Sequence, residues 1–200
     1  MGAGGHSRAC IDVIEMEGRF NVHALIGLPE EIGTQVLGYP VSGADNELSL
    51  FFKKCAHAMV TVGQIKTPDH RIRLYKLLKN IGFKLPAVVS PQAHVSSHAK
   101  LGEGTIIMHG AIVNAGAVIG RNCIINSQSL VEHDCNIGDH CHIATSAAIN
   151  SGVRIGTGTF IGSNSSIRQN IRIGELCMIG MGQRIVKDCH DETCIPSIKK

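Results

Sequence analysis

"INSQSLVEHDCNIGDHCHI", residues 125–143, holds three His, two Cys and three acidic residues within one short run. On donor types alone it resembles a metal site. Its apolar residues say something else. Ile125, Val131, Ile137 and Ile143 recur at intervals of six. The same count extends without a slip from Val89 to Ile185, seventeen positions that are all aliphatic. A period of six matches neither a helix nor an alternating strand. It matches a short strand plus a corner, with coil stacked on coil, as in a hexapeptide β-helix.

The other phases of the repeat agree. Gly follows the aliphatic residue at Gly102, Gly120, Gly138, Gly156, Gly162, Gly174 and Gly180, which predicts corner conformations there that suit Gly. The fourth place after it is small, as at Ala111, Ala117, Cys123, Ser129, Cys135, Cys141 and Cys177. The Cys residues therefore fill packed slots as small hydrophobes. With no CxxC pair, a structural zinc site is not expected, and no metal is assigned.

Composition sets outer bounds. The chain has 200 residues with 44% hydrophobic and 18% charged side chains, which excludes a disordered chain. A formal net charge of +3 gives no reason to expect nucleic acid. No apolar run reaches the length of a membrane span, and the first residues lack the apolar core of a signal peptide. Eight Cys in such a chain read as reduced thiols of a cytoplasmic protein.

Residues 1–85 follow another pattern. "GAGGHS" opens a helical run. "NVHALIG" reads as a strand, "QVLGYPV" as a loop returning to the sheet, "ELSLFFKKC" as a short helix and "HAMVTVGQ" as a strand. "TPDHRIRLYKLLKNIG" reads as an amphipathic helix with Thr67 as N-cap, Pro68 at its first position and Gly82 as its stop. Alternating helices and strands predict a small parallel α/β sheet, Rossmann-like, with its first strand missing before the Gly-rich turn. Such a turn entering a helix suits phosphate binding, or is a tight strand-to-helix connection with no ligand. The expected domains are an α/β unit at 1–85, a β-helix at 86–187 and a C-terminal tail at 188–200.

A Gly-rich α/β domain followed by an unbroken hexapeptide array resembles the sugar acetyltransferases of the sialic acid O-acetyltransferase (NeuD) and PglD family. "GAGGH", "VGQIKTP", "EHD" and "GDHCHI" carry the resemblance, which covers nearly the whole chain. It implies a left-handed three-sided β-helix, acetyl-CoA as donor, and a homotrimer with active sites between subunits. It implies His133 as general base with Asp134 as its partner, and His142 beside the acetyl group. It further implies Ser163, Gly180 and Met181 along the coenzyme channel. Gly4, Gly5, His6 and Gly63 would bind the sugar substrate. Arg168, Arg172, Arg184 and Lys187 either meet the coenzyme phosphates or form a solvated basic face. His109 and His140 receive no role.

The acceptor is where the match weakens. Family members of the PglD type hold a uridine through acidic residues at the end of the second strand, where this chain has Leu25-Ile26-Gly27-Leu28. A sialic-acid-like acceptor and O-acetylation are therefore expected ahead of N-acetylation of a UDP-4-amino sugar. A γ-class carbonic anhydrase shares the β-helix but needs a His-x4-His pair, which the sequence lacks. A non-catalytic β-helix scaffold is the remaining alternative.

Overall fold

The structure, a computed structural model, describes residues 1–197. The first domain begins with Met1 and with Gly2, whose φ is 109°. Helix α1 (Gly5–Glu17) follows and ends at Gly18, whose φ of 72° is left-handed. Strand β1 (Leu25–Ile26) pairs in parallel with β3 (Tyr39–Gly43), and β2 (Gln35–Val36) pairs antiparallel with β3. Helix α2 spans Leu48–Phe52 and helix α3 spans Asp69–Ile81. Gly82 stops α3 at φ 108°, as its lack of a Cβ allows. Thr67 and Pro68 lie before α3, and the Thr67 hydroxyl accepts the Asp69 N–H at 3.2 Å.

Three expectations for this domain change. "QVLGYPV" is a hairpin, because Leu37 and Gly38 take the positive φ values of a two-residue turn. The sheet is accordingly mixed. "HAMVTVGQ" forms no ladder strand. It runs extended, and its backbone is met by Lys84 and Met1, with Thr61 N–H donating to Met1 O at 2.8 Å. Met1 and Gly2 hold the first-strand position. Gly2 N–H donates to Ile26 O at 2.7 Å, and the buried ammonium of Met1 donates to Met59 O at 2.7 Å.

From Val88 onward, eighteen two-residue strands follow among the described residues, ending with Cys194–Ile195. They build three parallel sheets, one per face of a prism. Partners in adjacent coils are eighteen residues apart up to Ile185, as with Ile125 and Ile143, and sixteen apart in the last coil. The second residue of each strand points inward. The sixfold aliphatics and the small-slot residues together form one buried column, including Ile107, Ile125, Ile143, Ile161, Cys123, Cys135, Cys141 and Cys177. Each buried aliphatic side chain contributes roughly 1.5–3 kcal/mol, summed between neighbouring coils. The stack also runs past residue 187. Cys194–Ile195 pairs with Met178–Ile179, so part of the expected tail is a further strand, while residues 198–200 lie outside the described residues.

The corners correct one reading. Left-handed backbone falls on the third residue after the aliphatic, at Asn122, Gln128, Asp134, His140, Ser146 and Asn164. It does not fall on the Gly that directly follows it. Those Gly answer to close approach instead. A Cβ at Gly138 would stand 2.7 Å from the Thr157 backbone N of the next coil.

The first domain lies on face one. The outward residues there run Val88, Ile106, Ile124, His142, Phe160, Met178 and Cys194. The first three pack against Cys10 and Val13 of α1 and against Met59.

Candidate active site

His133 and Asp134 occupy the corner between faces two and three, after Leu130–Val131 and before Asn136–Ile137. His133 Nδ1 lies 2.9 Å from Asp134 Oδ2, and both side chains are largely exposed. Asp134 adopts φ 60°, a region that Asp tolerates better than most residues. Glu132 stands behind the pair. Its Oε2 accepts the His133 N–H at 3.2 Å and the Asn114 Nδ2–H at 3.0 Å. A carboxylate on Nδ1 makes that nitrogen the protonated one and leaves Nε2 with a free lone pair.

His142 lies elsewhere, outward on face one and buried. Its tautomer is fixed by its partners. Asn126 Oδ1 accepts the Ser127 N–H at 2.8 Å, so Asn126 Nδ2 is the end that faces His142 Nε2 at 3.2 Å. Nε2 is then an acceptor. Nδ1 carries the proton and donates to Gln64 O at 2.7 Å. Burial pushes the imidazole pKa down to about 4; the Gln64 contact opposes this, and the nearby His6 and Arg71 add to it. Phe160 packs edge-on against the ring.

His133 and His142 are therefore not brought together within one chain. Ser163, Gly180 and Met181 sit on the edge between faces one and two, directly after Phe160–Ile161 and Met178–Ile179. Ser163 O accepts the Gly182 N–H at 2.9 Å, Gly180 is buried and Met181 is exposed. Arg168 and Lys187 lie on the His133 edge, with Arg184 on face two and Arg172 on face three, all exposed. The two groups of candidate residues thus lie on different edges of the chain.

Gly4, Gly5, His6 and Gly63 do converge. They line a pocket of about 260 Å³ at the N-terminus of α1, together with Leu28, Glu31, Asp45 and Arg73. His6 Nε2 is buried and has no hydrogen-bond partner among the described residues. Burial, with the nearby Arg71 cation as a second cause, pushes the His6 pKa down to about 4. Glu31 and Asp45 put carboxylates into the pocket although residues 25–28 carry none. Glu31 comes from a short turn after β1, and its Oε2 accepts the Leu28 N–H at 2.7 Å. Asp45 pairs with Arg73 at 3.1 Å. Neither was expected from the sequence, since both lie beyond the strand end at residues 25–28.

Several residues without an assigned role hold the domains together. His109 joins Ser90 Oγ and Asp12 Oδ2, each at 2.7 Å. His140 Nδ1 meets Asn122 Nδ2 at 2.9 Å and packs edge-on against Tyr75. Arg71, Asn126 and Gln64 also went unread; Gln64 lies inside the quoted "VGQIKTP". Among the described residues, no group of three or more His, Cys, Asp or Glu is placed to hold a metal. Also among them, no helix is long and apolar enough to cross a membrane.

Residues 1–76 match the PglD N-terminal domain, and residues 98–133, 116–151 and 134–169 match the bacterial transferase hexapeptide (six repeats). PerB from Caulobacter crescentus, in complex with CoA and GDP-perosamine, is 31% identical with a TM-score of 0.89, covering 96% of this chain and 89% of its own. The chain belongs to the PglD-like family of hexapeptide-repeat sugar acetyltransferases. A His-to-Asn variant of perosamine N-acetyltransferase from Caulobacter crescentus, with the same two ligands, is 30% identical over 96% of this chain and 89% of its own, with a TM-score of 0.90. The acetyltransferase domain of PglB from Neisseria gonorrhoeae FA1090, in complex with acetyl coenzyme A, is 28% identical with a TM-score of 0.85, covering 97% of this chain and 92% of its own. No curated protein sequence matches the chain. The fold is the Rossmann-like domain and left-handed β-helix of this family, and the membership makes the chain an acyltransferase.

Proposed function

We propose that this enzyme transfers acetyl from acetyl-CoA to a sugar, with His133 as general base and Asp134 as its partner. The His133–Asp134 pair carries the reading: an exposed imidazole, oriented through Nδ1, with Nε2 free. Nε2 takes the proton that the acceptor amine or hydroxyl loses as its N or O bonds to the thioester carbon. The carbon–sulfur bond then breaks, and the imidazolium returns a proton to the leaving thiolate. Asp134 supports the positive ring between the two transfers.

The site is completed by a second copy. The half-sites lie on different edges of each chain, so a donor spanning Ser163 and Met181 reaches His133 only on a neighbour. A closed homotrimer of three-sided prisms supplies that neighbour. Arg168, Arg172, Arg184 and Lys187 are offered to the coenzyme phosphates on the same geometry. Eight free thiols support a reducing cytoplasmic setting.

For the acceptor we favour a nucleotide-linked amino sugar and N-acetylation. The α1 N-terminus offers N–H groups to a diphosphate, with Gly4, Gly5, His6 and Gly63 around it. Glu31 and Asp45 offer acceptors to ribose hydroxyls or base N–H groups. They weaken the ground for a sialic-acid-like acceptor and O-acetylation, which was the lack of acids at residues 25–28. PerB, in complex with GDP-perosamine, adds support by similarity. The test is thiol release from acetyl-CoA with GDP- and UDP-linked 4-amino sugars, free sialic acids and their CMP forms. Turnover confined to sialic acids or their CMP forms reverses the acceptor assignment. No turnover by any of them, with the protein folded and trimeric, removes this group of acceptors.

A further inference from the structure

Arg71 is 1% exposed, and among the described residues it has no carboxylate partner. A guanidinium so placed is costly unless its protons are used. Those on Nη1 and Nη2 are used on oxygens of two domains, while Nε is buried with no partner among the described residues. Nη1 donates to Val62 O in the first domain. Nη2 donates to Asn122 O and Oδ1 in the β-helix, both at 2.9 Å. A planar fork can bridge separate oxygens in this way, and an ammonium on a flexible stem cannot hold the same geometry.

The Val62 end leads directly to His142. Two residues on, the Gln64 carbonyl accepts His142 Nδ1–H, and Gln64 Nε2–H donates to Gly158 O at 3.0 Å. Gly63 lies between them against His6, with 3.7 Å from an added Cβ to the His6 Cβ. Asn122, His140 and Gly158 hold equivalent corner positions in successive coils, all with positive φ. The 62–64 segment therefore runs along one corner column, anchored at its lower end by Arg71 and at its upper end by Gln64.

We propose that Arg71 is a positioning residue for acetyl transfer: by pinning the 62–64 segment to Asn122, it holds His142 in the tautomer with its proton on Nδ1. Gly63 and His6 line the acceptor pocket, while His142 lies on the face expected to meet the acetyl donor. The same clamp thus sets the spacing between the two substrates, and this part rests on the acetyltransferase reading. Burial keeps the His6 and His142 rings neutral, and the Arg71 charge adds to this at both.

The experiment compares wild type, Arg71→Met, Arg71→Lys and Asn122→Gly as full-length protein. Glycine accepts the φ of 52° at position 122, so this variant removes one acceptor of the fork without backbone strain. Nitrogen NMR of labelled His reads the His142 tautomer without substrate, and kinetics read kcat/KM for both substrates. Wild type is expected to show one tautomer, with Nδ1 protonated. The folded variants are expected to show a mixture and to lose roughly 10- to 10²-fold in kcat/KM, the size of a loss through misplacement. A folded variant with lower thermal stability but wild-type tautomer and kcat/KM overturns the proposal. If Arg71→Met does not fold, Arg71→Lys and Asn122→Gly decide it. Absence of activity in wild type would sink the acetyltransferase reading and still leave the tautomer result to judge the clamp.

Discussion

His142 Nδ1 lies 2.7 Å from the carbonyl oxygen of Gln64, seventy-eight positions earlier in the chain. This contact ties the first domain to the β-helix, and it is burial that keeps the ring neutral, since an imidazolium would also donate from Nδ1. The folded pKa of His142 is about 4 against an ordinary value of 6.5, so the unfolded chain binds more protons between those limits. Stability is then fully present above about pH 6.5 and is lost as pH falls toward 4. One such ring adds a slope of up to about 1.4 kcal/mol per pH unit. Urea unfolding of wild type and His142→Leu between pH 4.5 and 7 checks this. The variant is expected to show the shallower slope, and equal slopes would show that His142 is not held neutral.

Two kinds of glycine are expected to behave oppositely. An added Cβ meets nothing within 4 Å at Gly4, whereas at Gly138 it meets the next coil's backbone at 2.7 Å. Gly138→Ala should destabilise by about 1–3 kcal/mol, as overpacking does. Gly4→Ala should leave the melting temperature nearly unchanged and raise the acceptor KM on the order of tenfold, about 1.4 kcal/mol of binding. Thermal melts and initial-rate kinetics separate the two. An unchanged KM in Gly4→Ala would mean that the turn does not touch the acceptor.

The β-helix was legible because one physical demand, an inward aliphatic at every coil, repeats at a fixed interval. Ile125, Ile143 and Ile161 show it without any alignment. The left-handed corners at Gln128 and Ser146 were not legible, since neither residue type favours positive φ. His133 and Asp134 are neighbours in sequence, so their pairing could be read directly. The Arg71–Asn122 and His142–Gln64 contacts could not. They span fifty-one and seventy-eight positions, and each uses a backbone oxygen, which every residue type supplies. The strand expected over "HAMVTVGQ" went unformed because its sheet partners there are the short Met1–Gly2 segment and Lys84.

The thiols offer a check on the inward column. Cys141 is fully buried, with Sγ 3.1 Å from Gly156 O, while Cys194 is exposed. A thiol reagent should label Cys194 quickly in the native protein, and Cys10, Cys123, Cys135, Cys141 and Cys177 only on unfolding. Cys141→Ala should fold and remain active, whereas Ile143→Asp should not fold, since it buries an unpaired charge. Rapid native labelling of Cys141, or loss of activity in a folded Cys141→Ala, would place that thiol in the chemistry and not in the core.

The His133–Asp134 contact of 2.9 Å predicts a unit in which the two losses do not add. His133→Ala should lower kcat by ~10²–10⁴, the contribution of a positioned base. Asp134→Asn keeps an imidazole in place, and Asn accepts φ 60° as Asp does, so its loss should be smaller. The double variant should be little worse than His133→Ala alone, because Asp134 acts only through the ring. Both side chains are exposed and bury nothing, so circular dichroism and melting should not change. Rates at saturating acceptor, measured for all four proteins with acetyl-CoA, decide the matter. Losses that multiply would mean that Asp134 works apart from His133. A folded His133→Ala within about threefold of wild type, a barrier change under 1 kcal/mol, would take His133 out of the mechanism.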